Sequence, residues 1–291
     1  MEASTRAATV EVHERLEQLT RPTSGLLEKA RDRLTGQPAR AATGPELISL
    51  ADELFAVSRV LDSQLGLRRA MADPAGKPEE RAALVRRLFA SQLSSTALDL
   101  VETIARQRWS RPIDLVEATI TVATEAALDA ADVNGELDGV EDELFRFGRI
   151  VAGDRELNRV LSDRKASVEG RTSLLDRLLS GRVNPVTELL LRNILTGAHV
   201  GTAEIAIERL SEVASRRRGQ SVARVTSAVP LTPAQEQQLV AVLGRLYGRQ
   251  VGLQVTVDAD VLGGLIIQVG DEVIDGSIAH RLEAARRRLA G

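Results

Sequence analysis

The sequence predicts a mainly α protein with a small α+β C-terminal domain: tandem, duplicated helical bundles followed by a β-α-β-β-β-α unit. Three observations predict it. Apolar residues recur at three and four through most of residues 7–214, the period of an amphipathic helix. The chain aligns on itself when shifted by 90 residues. After Arg216-Arg217-Arg218-Gly219 the apolar period falls to two, that of a half-buried strand.

The helical elements follow in order. Residues 7–19 carry Val10, Leu16 and Leu19 on one helix, which Arg21-Pro22-Thr23-Ser24-Gly25 ends. A weaker segment, 26–34, precedes a linker near 35–45, where Gly and Pro cluster without apolar periodicity. From Glu46, Leu47, Leu50, Ala51, Leu54, Val57, Val60 and Leu61 form a continuous stripe up to the break at Asp73-Pro74-Ala75-Gly76. Residues 77–90 are helical with Leu84, Val85, Leu88 and Phe89, and 96–106 with Leu98, Leu100, Val101 and Ile104. Pro112 then opens a long helix, 113–131, at a position where its missing N–H costs nothing.

The internal repeat is in register. Asp52-Glu53-Leu54-Phe55 falls on Asp142-Glu143-Leu144-Phe145, and 13 of the 42 pairs from Asp52 onward are identical without a gap. Arg59/Arg149, Asp73/Asp163, Arg81/Arg171 and Leu84/Leu174 are among them. The match crosses a chain break, which two unrelated amphipathic helices would not do. It implies a duplicated helical unit ahead of a C-terminal domain over 220–291, with the long helix closing one bundle and opening the next.

In the last domain, Val222, Val225 and Val229 mark a strand. Thr232-Pro233-Ala234-Gln235 has the form of a capping box, Thr as N-cap and Gln as its reciprocal partner. Leu239, Val242, Leu243 and Leu246 form that helix's stripe. Val251, Leu253, Val255 and Val257 alternate as a second strand, residues 265–269 form a third and Val273-Ile274 a short fourth. A final helix carries Ile278, Leu282 and Leu289 on one side.

Composition excludes several functions. Aromatic residues are 2% of the chain and net charge is −3, so neither stacking platforms nor a basic field favours nucleic acid. With no cysteine there are no disulfides or thiolate metal sites. No apolar run reaches the roughly 18–20 residues of a bilayer span, and the N-terminus has no secretory h-region. His13, His199 and His280 lack metal-ligand spacing, and Gly263-Gly264 lacks a phosphate-loop frame. Asp258, Asp260, Asp271 and Asp275 read as turn residues rather than a cation loop. Ser227 sits on a strand outside any nucleophile motif. Arg216–Arg218 and Arg286–Arg288 read as solvated helix ends, and Trp109 as a core anchor. No catalytic, cofactor or metal site is expected.

Four blocks near the C-terminus carry a resemblance: Val225–Leu231 (VTSAVPL), Val257–Gly264 (VDADVLGG), Val269-Gly270-Asp271 and Asp275-Gly276-Ser277. In this order they resemble the δ subunit family of F-type ATP synthases, which includes the mitochondrial oligomycin-sensitivity-conferring protein. Two departures stand out, Ala259 where the family has Pro and Val261 before Leu262-Gly263-Gly264. The likeness extends upstream through Leu144–Leu157, Leu161-Ser162-Asp163 and Leu174–Leu179. An ordinary member would begin near Ile120, so residues 1–119 are additional, similar to a lengthened actinobacterial form.

The resemblance implies a non-catalytic stator without cofactors. Its helical part would hold N-terminal segments of α subunits at the top of the α/β hexamer. Its C-terminal domain would grip the b-type peripheral stalk, with any membrane contact indirect, at the cytoplasmic face of the plasma membrane. Carried onto this chain, Ile278, Leu282 and Leu289 face the stalk. Ala118 and Val122 with Leu189 and Leu195, or the equivalent surface of the first copy, face α. The extra residues 1–119 are expected on the stalk side. The alternative is a free helical adaptor with a δ-like C-terminal domain.

Overall fold

The computed structural model describes residues 3–20, 41–163, 165–197, 202–220, 222–247, 251–258, 261, 263–269 and 272–276. Among them lie twelve helices and four strands, in two compact units, Met1–Glu212 and Val213–Gly291. The expected helix 26–34, most of the linker and the whole final helix fall outside the described residues.

The first unit contains α1 (Ala3–Thr20), α2 (Gly44–Ser63), α3 (Leu65–Met71), α4 (Pro78–Phe89), α5 (Ser95–Arg106) and α6 (Pro112–Asn134). It continues with α7 (Leu137–Gly153), α8 (Arg155–Ser162), α9 (Val168–Leu179), α10 (Pro185–Thr196) and most of α11 (Ala203–Gln220). The 90-residue shift carries α4 onto α9 and α5 onto α10 with identical bounds.

Local chemistry explains these limits. Gly44 and Pro45, read from sequence as linker, belong to α2. Thr43 precedes the helix, and its N–H and hydroxyl both donate to Glu46 Oε2, at 2.7 and 2.8 Å. Ser94, Asp154, Ser167 and Asn184 cap α5, α8, α9 and α10 with side-chain oxygens that accept from helix N–H groups. Asp73 Oδ1 accepts from Ala75 N and, one repeat later, Asp163 Oδ1 from Lys165 N, so the same carboxylate turns the chain twice.

α6 is the centre of the unit. It packs against α1, α2, α3 and α5 before it and against α7 and α10 after it. Its 23 residues span about 34 Å. Ala123, Ala126, Ala127, Ala130 and Ala131 are fully buried, and these small side chains let neighbouring backbones approach. At Gly44 of α2 an added Cβ would lie 2.3 Å from Asn134 Oδ1, at the end of α6. α6 ends at Gly135, whose φ of 73° is the left-handed value that favours glycine.

The core stripes differ from expectation at their edges. On α1, Ala8, Val12 and Leu16 are buried while Val10 faces out. Leu88 on α4 and Val60 on α2 are exposed as well. A strict three-four count widens a stripe beyond the arc that a neighbour covers. Each fully buried Leu or Val still contributes about 1.5–3 kcal/mol.

In the second unit, β1 (Val222–Ser227), α12 (Pro233–Tyr247), β2 (Gly252–Val257), β3 (Leu265–Val269) and β4 (Glu272–Asp275) form a sheet of order β2-β1-β3-β4. β1 and β2 are parallel, with Val225 opposite Val255; β3 is antiparallel to both β1 and β4. The capping box stands as read: Thr232 N donates to Gln235 Oε1 at 2.9 Å and Gln235 N to Thr232 Oγ1 at 3.3 Å. Ala223, Val225, Leu243, Val251, Ile267 and Val269 make the core. α12 buries Leu243 and half-buries Leu239, but leaves Val242 and Leu246 exposed; Val229 lies past the end of β1 and is exposed too.

Candidate partner-binding surfaces

Two kinds of polar contact fix the helix pairs. Arg81, buried on α4, donates to the carbonyls of Ala105 (2.6 Å) and Arg106 (2.8 Å) at the C-terminus of α5. It also reaches those of Gln107, Asp73 and Gly76. Arg171 does the same on α9, reaching Leu195 O at 3.0 Å and Thr196 O at 3.2 Å. The last carbonyls of a helix have no intrahelical donor, and a buried guanidinium supplies one. Glu53 likewise accepts from Ser94 N at the start of α5, and Glu143 from Asn184 N at the start of α10. All four residues were visible as identities in the repeat; the sequence did not show what they hold.

α1 docks through polar tethers around its apolar stripe. Thr5 Oγ1 donates to Asp114 Oδ2 at 2.7 Å, and Arg15 binds Asp99 at 2.7 and 2.8 Å. Burial of Asp114 favours its neutral form, but hydrogen bonds from Thr5 and Arg111 outweigh that and hold its pKa below the usual carboxylate value. Arg15 lowers that of Asp99 by hydrogen bonding. His13 Nδ1 lies 2.9 Å from Glu125 Oε2 on α6, and this bond raises the imidazole pKa, assisted by the charges of Glu17 and Asp129.

The residues assigned to the α side do meet on adjacent helices, Ala118 and Val122 on α6, Leu189 and Leu195 on α10. Ala118, Val122 and Leu195 are buried within the chain, and Leu189 is half-buried. α2 packs on both helices, and Arg59 donates to Asn193 Oδ1 on α10. Ile278, Leu282 and Leu289 lie outside the described residues, as do His199, His280, Asp260, Asp271 and Arg286–Arg288.

The remaining candidates have structural surroundings. Trp109 is buried between α5 and α6, and its Nε1 donates to Ile104 O at 2.9 Å. Ser227 Oγ donates to Val229 O at 2.7 Å, closing a turn, and Ser227 O accepts from Asp258 N at 2.8 Å, just past the paired end of β2. Gly263 and Gly264 have φ of 72° and 86°, so they serve backbone conformation. Among the described residues no group of three or more His, Asp or Glu could hold a metal. A cavity of about 410 Å³ lies over the end of β1, lined by Val229, Leu231, Leu239, Val242 and Leu265 with Ser227, Gln235 and Gln238. Among the described residues that line it, none is titratable.

Residues 124–289 match the family model described as ATP synthase delta (OSCP) subunit. That stretch is more than half of the 291-residue chain. The chain belongs to the ATP synthase delta (OSCP) family. The family model starts inside α6. "ATP synthase subunit delta" of Streptomyces avermitilis is 49% identical over 249 residues, 86% of this chain and 91% of that one. The subunits of the same name from Streptomyces griseus and Streptomyces coelicolor are 45% and 47% identical, each over 91% of this chain. Alignments of this length exceed the family model, so these delta proteins share residues ahead of it.

Proposed function

We propose that this chain is a non-catalytic stator, the delta-type peripheral-stalk subunit of a proton-translocating F-type ATP synthase. Membership of the family, with close relatives matched along nearly their whole length, carries this reading. The physical character of the chain agrees with it. A stator resists torque, and this chain offers helices, shared cores and capped helix ends.

In this reading the chain links the α/β head to the b-type stalk and works at the cytoplasmic face of the plasma membrane. Among the described residues no helix is long and apolar enough to cross a membrane, so the contact would run through the complex. An N-terminal segment of α rests on the outer edge of α10 at Leu189, because the chain's own packing fills Ala118, Val122 and Leu195. The stalk helix meets the C-terminal unit at the face of Ile278, Leu282 and Leu289. Residues 1–119 lie on the stalk side; crosslinks from them only to α would refute that placement.

Co-purification decides the main point. The tagged chain should bring down α, β and the b-type subunit in defined stoichiometry, and its deletion should abolish coupled ATP synthesis. A chain that stays in the supernatant when the catalytic hexamer is sedimented would instead be a free helical adaptor.

A further inference from the structure

The chain has four asparagines, and of these Asn134 alone is followed by glycine. Asn-Gly is the dipeptide most prone to deamidation, because glycine has no side chain to hinder attack by its own amide nitrogen. Here it occupies the turn by which α6 passes into α7. Asn134 is the last residue of α6 and is exposed to water. Water and hydroxide therefore reach a carboxamide that stands at the exit of the shared helix. Loss of ammonia requires Gly135 N, deprotonated by hydroxide, to bond to Asn134 Cγ. The Cγ–Nδ2 bond then breaks, and Nδ2 leaves as ammonia with a proton from water. The resulting succinimide takes up one water and opens to aspartate or isoaspartate.

The folded turn opposes each part of that step. Ring closure swings Gly135 N beside the Asn134 side chain, which the helical backbone of Asn134 does not permit. Gly135 N donates to Asp132 O at 3.0 Å, so its proton is engaged. The next amide, Glu136 N, donates to Ala131 O at 2.8 Å, and Asn184 Nδ2 at the start of α10 donates to Glu136 Oε2 at 2.9 Å. Leu137, 4% exposed, anchors the first residue of α7 in the core. From the other side, a Cβ on Gly44 of α2 would stand 2.9 Å from both Cγ and Nδ2 of Asn134. We propose that Asn134 is a latent deamidation site which this turn keeps shut, so that its conversion marks chains in which the turn has opened. The isoaspartate product runs the main chain through the former side chain. It adds one backbone atom inside the turn and displaces Glu136 N from Ala131 O.

The test uses the free full-length chain at alkaline pH, folded and in concentrated urea. Tandem mass spectrometry of the peptide that contains Asn134 follows replacement of the amide by a carboxyl. The unfolded chain should convert at least about a hundredfold faster than the folded one. Equal rates would overturn the proposal. Urea raised short of the unfolding midpoint should also speed conversion, because a reaction through an open state tracks its population and opening exposes Leu137. A rate that ignores urea would mean that Asn134 reacts within the closed turn, which is equally fatal. Leu137→Ala loosens the start of α7 and leaves both reacting residues unchanged. It should shrink the ratio of unfolded to folded rates by about tenfold or more. An unchanged ratio in a variant that still folds would refute the guarding role of the turn.

Discussion

Arg86 of α4 meets Glu102 of α5 at 2.6 Å, and at the same two positions of the second copy Asp176 meets Arg192, also at 2.6 Å. The charges are exchanged. The third member has changed with them: Glu102 is joined by Arg106 one turn later, and Arg192 by Glu188 one turn earlier. Each triad is the electrostatic inverse of the other on the same helix pair. What the fold specifies here is complementarity at a contact, and either sign satisfies it. By contrast Arg81 and Arg171 keep their identity, because the carbonyls they bind are acceptors in both copies.

The comparison can be broken at four places, beginning with the largest effect. Phe55→Ala should cost about 3–5 kcal/mol in denaturant-induced unfolding, as for a large core deletion, while Phe145→Ala should stay within about 0.5 kcal/mol. Equal costs would mean that the two faces are not in different surroundings. Next, Arg81→Ala should cost about 3 kcal/mol and Arg171→Ala about 1–2 kcal/mol, because Arg81 serves five carbonyls and Arg171 two.

The triads give a third test. Arg86→Asp should cost about 1–2 kcal/mol by facing Glu102, whose side chain is 7% exposed. Exchanging the pair alone, R86D with E102R, should recover little, because the introduced guanidinium would then meet Arg106. Adding R106E should restore most of the loss, and the recovered part should shrink at high salt.

The smallest effect is pH-dependent. Glu125 raises the folded-state pKa of His13 above 6.5, so its contribution is complete below that pH and is lost as pH rises through the raised value. His13→Asn should remove this slope, with an amplitude of about 0.5 kcal/mol or less, since the imidazole is 39% exposed. Asp99 and Asp114 run the other way. Their pKa values are lowered from 3.8, so their contribution holds above that pH and fades as pH falls through the depressed values. A melting-temperature series from acid to neutral pH, with Asp99→Asn and Asp114→Asn beside it, separates the two slopes.

Much of this fold was legible as local chemistry. The Thr232–Gln235 box, the Pro112 start and the unbroken register of the repeat depend on neighbours in sequence, and the structure has them where the pattern put them. Burial was less legible, since it depends on what arrives from elsewhere. Val242 and Leu246 belong to the stripe of α12 by period, yet nothing described covers them. Phe55 and Phe145 are the same residue in the same motif, yet one is 1% exposed and the other 59%. Ala118, Val122 and Leu195 were chosen as surface from the family's geometry. Within this chain all three are buried, and α2 packs on both of their helices.

The shared helix α6 has a mechanical consequence. Two bundles joined by a loop would act as two springs in series, and the loop, with few contacts, would be the soft one. Here the joint is itself a hydrogen-bonded rod, clamped along its alanine-lined sides by the helices of both copies. The stiffest part of the unit therefore sits where a linker would be the weakest. Pulled apart, the bundles should yield in a single event, at the force that strips the rod, rather than in two.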